Sequence, residues 1–110
     1  MIDQARLQEL VNDFGAEDFD DLIESFLEEA AEAVAALEAM ISEDASDERS
    51  AQFHFLRGCA LNIGAVDLAE LCRAFEGRDG GFSGADYRSL SSQFQAVQAH
   101  FADGGLKHIA

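Results

Sequence analysis

The stretch SAQFHFLRGCALNIGAVDLAELCRAFE, residues 50–76, decides the fold because it contains two helical patterns joined by a short turn. Apolar residues recur every three or four positions on both sides of Gly64, which is the spacing of amphipathic helices. A glycine between two such patterns is typical of a helix end. We therefore predict one helix over residues 46–63 and another over residues 66–76.

The chain before this stretch follows the same period. It predicts a short helix within residues 2–14 and a longer one whose apolar stripe runs from Phe19 to Ile41. A polar break separates the longer helix from the next, and Ser46 or Asp47 is the expected N-cap. No segment of the chain alternates convincingly with the period of a strand.

The chain after residue 76 begins with its most turn-like segment, GRDGGFSG. Ser83, with Asp86 three residues later, resembles a capping box in which Asp replaces Glu. A fifth helix then carries apolar residues at helical spacing: Tyr87, Leu90, Phe94, Val97 and Phe101. The predicted fold class is all-α, an antiparallel four-helix bundle with a short additional N-terminal helix.

Length and composition limit the classes of protein that fit. A chain of 110 residues, 48% of them hydrophobic, predicts a single domain over residues 1–110 with a packed core. The net charge of −15 opposes nucleic acid and anionic membrane surfaces as partners. Two cysteines and the lack of a signal-peptide pattern favour a cytoplasmic protein, which we expect to be a monomer.

The helix over residues 46–63 presents an unusual exposed face. At about 100° per residue, His54 falls almost opposite the apolar core face, near the middle of the helix. Gly58 removes the side chain that would stand beside the imidazole, although a glycine there costs about 1 kcal/mol relative to alanine. Arg57 places a cation within reach of an anion on the ring, and Leu61 suits a docking patch.

The charge pattern around these residues agrees with an anion on His54. Residues 49–66 contain no Asp or Glu, although the whole chain has 22 acidic residues. A strip that tolerates added negative charge therefore surrounds the imidazole, as a phosphoryl group there would require.

Taken together, HFLRGCALNIGA followed by LAELCRAFE closely resembles the histidine phosphotransfer (HPt) domain of bacterial multistep phosphorelays. That family has the pattern H-x-L-K/R-G-x(5)-G-A, followed by a helix with Leu, Cys and Leu-Glu. The resemblance covers residues 54–76. It implies that His54 is the phosphoacceptor at Nε2, that Arg57 contacts the phosphoryl group and that Gly58 gives the partner access.

The resemblance also implies a mechanism and partners. A phosphoaspartate on the receiver domain of a hybrid histidine kinase would phosphorylate His54, which would pass the group to the receiver of a response regulator. The receiver would supply Mg²⁺, so we expect this chain to have no cofactor or metal of its own. We expect a phosphocarrier and not an enzyme with an autonomous active site. The alternative is an interaction module that binds receiver or kinase domains without carrying phosphate.

Other polar residues are expected to be structural. Cys59 and Cys72 lie on apolar stripes and are expected to be buried thiols, with a disulfide as one alternative and a metal site that includes His54 as another. His100 and His108 are expected to be structural or incidental. The acidic residues on one face of the longer helix are expected to be solvated, and not a catalytic carboxylate pair: Glu24, Glu28 and Glu32.

Overall fold

Five α-helices account for most of residues 2–78 and 80–102, which are the residues that the computed structural model describes. In chain order they are α1 (Gln4–Phe14), α2 (Ala16–Glu38), α3 (Ser46–Asn62), α4 (Val66–Glu76) and α5 (Gly84–Phe101). This described part contains no strand, and one isolated backbone bridge joins Ile2 to Ala65. The all-α prediction and the short N-terminal helix are confirmed. None of the described helices combines the length and the apolarity that a membrane crossing needs.

The helices share one hydrophobic core. α3 packs against α2 and α4, α5 packs against α4 and α2, and α1 packs against α2. Fully buried large side chains come from every helix, among them Leu7, Phe19, Leu37, Leu56, Leu68 and Leu90. Burying a side chain of this kind stabilises a fold by about 1.5–3 kcal/mol. Helix α3 is therefore held from two sides and leaves only its remaining face to solvent.

The N-terminal end of α3 is held by a buried arginine. Arg49 donates hydrogen bonds to the backbone carbonyls of Glu43 and Gly80, and so joins the loop before α3 to the loop after α4. One turn further along α3, the ring of Phe53 packs 5.3 Å from that of Phe75 and 5.4 Å from that of Phe82. These contacts fix the direction in which α3 enters the core.

The C-terminal end of α3 is held by the turn at Gly64 and by α1. Gly64 has a φ of +72° and stops the helix as predicted. Its carbonyl accepts a hydrogen bond of 2.7 Å from the backbone of Asp3, the N-cap of α1. Arg6 Nε donates to the carbonyl of Asn62 at 3.1 Å. Helix α1 therefore locks the α3–α4 turn.

Several local predictions differ from the structure. The N-cap of α3 is Ala45, which makes no side-chain capping hydrogen bond, so the prediction of Ser46 or Asp47 is wrong. Helix α2 ends three residues before Ile41, which lies in a turn. The sequence gives apolar spacing but not the point at which the chain leaves the core.

Candidate functional site

The site residues predicted from the sequence lie together on the exposed face of α3. The opposite face of this helix buries Phe53, Leu56, Cys59 and Ala60. The side chain of His54 is 67% exposed in the middle of the helix, as the helical spacing predicts. The structure thus brings His54, Arg57, Gly58 and Leu61 to one surface.

His54 has a carboxylate partner that the sequence analysis did not identify. Its Nδ1 lies 3.2 Å from Oε1 of Glu76, which is in the last turn of α4. A carboxylate accepts hydrogen bonds, so a neutral imidazole in this contact carries its proton on Nδ1. This assignment follows from the hydrogen-bond partner, and it leaves Nε2 with the free lone pair. The geometry therefore favours Nε2 as the nucleophilic atom.

The same carboxylate holds Arg57. Glu76 Oε2 is buried and lies 3.3 Å from Nη1 of Arg57, so one carboxylate contacts both basic side chains. The Arg57 side chain is 29% exposed, and its guanidinium stays at the edge of the surface near His54. Arg57 therefore pairs with an acidic side chain of α4.

Gly58 leaves the approach to the imidazole open. A Cβ atom built at this position has no atom within 4 Å, so no packing contact explains the glycine. Its φ is not in the left-handed region, so backbone conformation does not explain it either. The open space beside His54 is consistent with the predicted access for a partner.

Two large apolar side chains are exposed on the same face. Leu61 is 53% exposed and Phe55 is 47% exposed. Exposure of Leu61 is predicted by its helical position, whereas Phe55 was not identified. The helical spacing also predicts that Phe55 is exposed, because it falls between Gly58 and Cys59 around the helix, outside the core face. An exposed phenylalanine and leucine on one face indicate a contact surface.

The two cysteines are free and buried. Burial raises the pKa of the Cys59 thiol, and the Glu29 carboxylate raises it further. Burial also raises the pKa of Cys72 to about 12, while the Arg57 guanidinium acts in the opposite direction. The structure therefore contains two buried thiols and no disulfide between them.

The remaining candidate residues are apart from His54. Within residues 2–78 and 80–102, no three His, Cys, Asp or Glu side chains lie together in a way that would hold a metal ion, so the alternative metal site of His54 with the two cysteines does not form. The ring of His100 packs edge-to-face on Phe101 in the last turn of α5, and His108 lies outside the described residues. The acidic residues of α2 named above are exposed, as predicted.

Four cavities in the described part of the chain have linings that do not include His54. A cavity of about 320 Å³ lies between the ends of α4 and α5, and its lining includes Leu68, Val97 and His100. An exposed nucleophile with a carboxylate and a cation beside it can attack an electrophile, but it cannot exclude water from the reaction. The arrangement therefore needs a second protein surface to enclose the reacting group.

Comparison with known proteins identifies one family. The family model described as the Hpt domain matches residues 21–100, which is more than half of the chain and includes α3, α4 and nearly all of α5. No curated protein and no solved structure matches the chain.

Proposed function

The chain belongs to the Hpt domain family, and from this membership we propose that His54 is the residue that carries the phosphoryl group. Hpt domains have a histidine phosphotransfer role in phosphorelays, where they interact with receiver domains and act as phosphocarriers. The observation that carries the assignment to His54 is its contact with Glu76, which leaves Nε2 unprotonated on an exposed side chain.

The proposed reaction has two transfer steps, onto His54 and away from it. First, the Nε2 lone pair of His54 attacks the phosphorus of a receiver phosphoaspartate, the P–N bond forms, and the P–O bond breaks with its electron pair going to the aspartate. Second, an aspartate of another receiver attacks the phosphorus and the P–N bond breaks. No proton has to move, because Nδ1 keeps its proton throughout and Glu76 faces the positive charge of the phosphorylated ring.

Arg57 and Gly58 support the same reaction in different ways. The Arg57 guanidinium lies near His54 because both side chains contact the Glu76 carboxylate. It can turn from that carboxylate to the phosphoryl oxygens. Gly58 gives the receiver access to the ring. Leu61 contributes to docking. We expect the receiver to bring Mg²⁺ and the acidic pocket, so that positioning and electrostatics complete the transfer.

We propose that α2, α3, α4 and α5 form an antiparallel four-helix bundle and that α1 is an addition to it. The packing of α3 on α2 and α4, with α5 against both α4 and α2, supports a closed ring of four helices. We further propose that residues 1–110 form one domain that acts as a cytoplasmic monomer, with receivers of a hybrid kinase and a response regulator as partners.

Phosphotransfer from a panel of phosphorylated receiver domains tests the function. The wild-type chain is compared with His54→Gln and with the matched control His108→Gln, and circular dichroism checks that each variant is folded. We expect an acid-labile label on the wild-type chain and on the control, and no label on folded His54→Gln. A label that persists in His54→Gln would overturn the assignment. Binding without any label would favour the interaction module.

A further inference from the structure

The exposed face of α3 has different charges at its two edges. The edge next to α4 carries His54 and Arg57, both of which contact Glu76. On its other side α3 packs against α2, where the exposed Glu29 is close enough to the buried Cys59 for its carboxylate to raise the pKa of that thiol. One edge of the face is therefore cationic or neutral, and the other adjoins an acidic side chain.

An apolar ridge, which we define as Phe55, Gly58 and Leu61, runs obliquely across the exposed face. Its members are three positions apart, so Phe55 and Leu61 lie about 120° apart around the helix with Gly58 between them. The two large side chains are about half exposed, and the space above Gly58 is empty. An apolar side chain of a partner can therefore insert above Gly58, between the side chains of Phe55 and Leu61.

The exposed surface of α2 is acidic. Helix α2 has no Lys, Arg or His, and Glu28, Glu29 and Glu32 are exposed. No salt bridge is found for these three carboxylates in the described part of the chain. The net charge of −15 would repel a partner whose docking surface is also acidic. The partner surface over α2 must therefore compensate for this charge.

We propose that the chain selects a receiver domain whose docking surface has an apolar centre and lysine or arginine side chains along one side. The apolar centre covers the apolar ridge, and the basic side chains lie over the α2 edge. This arrangement also sets the orientation of the receiver, because the basic side faces α2 while the phosphoaspartate faces His54, which lies on the α4 side of Gly58. The inference rests on the proposed phosphotransfer function and names the chemistry of the partner.

The test measures the second-order rate constant of phosphotransfer from the receiver that labels the wild-type chain fastest. Because opposite charges accelerate association and salt screens them, we expect this rate constant to fall about tenfold or more between about 50 and 500 mM NaCl. At low salt, Glu29→Lys should lower the rate constant by about three- to tenfold and weaken its dependence on salt.

Two further variants make the result specific. Glu38→Lys makes the same charge change on α2. Because Glu38 is nine residues beyond Glu29, it points to the opposite side of α2, so we expect Glu38→Lys to lower the rate constant less than Glu29→Lys does. Phe55→Ala should lower the rate constant while the salt dependence remains.

Three results would overturn the inference while phosphotransfer itself stands: a rate constant that is constant or rises with salt, equal effects of Glu29→Lys and Glu38→Lys, or an unchanged rate in Phe55→Ala. Failure of every receiver to label the wild-type chain would instead remove the proposed function, and this inference with it.

Discussion

At the scale of single residues, Glu76 contacts both side chains on which the proposed chemistry depends. Its Oε1 faces Nδ1 of His54 and its Oε2 faces Arg57, at 3.2 and 3.3 Å. It is three-quarters buried at the end of α4, so its position is set by the core more than by solvent. A carboxylate fixed in this way acts as a positioning residue for the imidazole.

We predict that Glu76→Ala slows phosphorylation of His54 about tenfold, as the loss of an orienting partner often does. The cause is the loss of the hydrogen bond that holds the proton on Nδ1. Imidazole ¹⁵N spectra should show a smaller fraction of the Nδ1–H tautomer, and Glu76→Gln, which keeps an acceptor oxygen, should lie in between. Glu70→Ala on the same helix is the control, because Glu70 pairs with Arg73. Equal rates in Glu76→Ala and the control would remove the positioning role.

Gly58 gives a second prediction, in which stability and activity change in opposite directions. Gly58→Ala should raise the free energy of unfolding by about 1 kcal/mol, because alanine favours a helix interior and its methyl group meets no atom. Gly58→Leu should slow transfer about tenfold by filling the space beside His54, which corresponds to about 1.4 kcal/mol. Chemical denaturation and phosphotransfer kinetics measure the two effects. Unchanged transfer in Gly58→Leu would remove the steric argument.

The sequence predicted the residues of α3 better than their partners. Helical spacing placed His54 and Leu61 on the exposed face, because the apolar positions of one helix define its opposite side. Glu76 lies at the end of the stretch that resembles the family, but no spacing within the sequence marks it as a partner of His54. Its contact depends on how α4 packs against α3, which spacing within one helix does not determine.

At the scale of the helices, glycines and caps fixed most of the boundaries. The bounds predicted for α4 match the structure, and those of α3 differ by one residue. The turn between these helices has a positive φ at Gly64, which glycine adopts without strain, and this conformation ends α3. The N-cap predicted for α3 was wrong because the buried Arg49 holds the preceding loop, so that no side-chain cap is needed at Ala45. Such a long-range contact leaves no local signal.

The capping box of α5 gives a prediction for pH. The Asp86 side chain accepts a hydrogen bond from the backbone of Ser83, which lowers the pKa of Asp86, and Arg78 acts in the same direction. A lowered pKa in the folded state stabilises the protein above the unfolded pKa, and this contribution disappears as the pH falls through the folded pKa. Asp86→Asn should therefore cost about 1 kcal/mol at pH 7 and less near pH 3.

Urea denaturation at the two pH values measures this difference. Ser83→Ala is the control, because it removes the hydroxyl that accepts from the backbone N–H of Asp86 and leaves the carboxylate in place. Its cost should vary less between the two pH values, because the Ser83 hydroxyl lowers the pKa of Asp86 less than the Ser83 backbone N–H does. If the cost of Asp86→Asn were also the same at both, the carboxylate would not be the source of the capping stability.

At the scale of the whole molecule, the stretch that holds His54 carries no acidic side chain of its own, and the buried thiols lie away from its exposed face. The chain carries −15 in total, yet residues 49–66 contribute no acidic side chain to the face that holds His54. The thiols lie on the other side of the same helix pair, in the core. This separation keeps both thiols away from the face that holds His54.

We predict that both cysteines are unreactive in the folded protein. With the pKa of Cys72 raised to about 12, only about one molecule in ten thousand carries its thiolate at pH 8, and access to the core is also blocked. Labelling with a disulfide reagent should be slow in buffer and stoichiometric in urea. Cys59→Ala and Cys72→Ala assign the two signals. Rapid titration of either thiol in buffer would contradict the burial.

We propose that Nε2 of His54 carries the phosphoryl group while Glu76 keeps the proton on Nδ1. Long-range ¹H–¹⁵N spectra of the histidine-labelled chain, recorded before and after phosphorylation by the fastest receiver, test both parts of this proposal. We predict an Nδ1–H tautomer at His54 beforehand and phosphorus coupled to Nε2 of the same ring afterwards. Phosphate on Nδ1 of His54, or on any other residue, would contradict it.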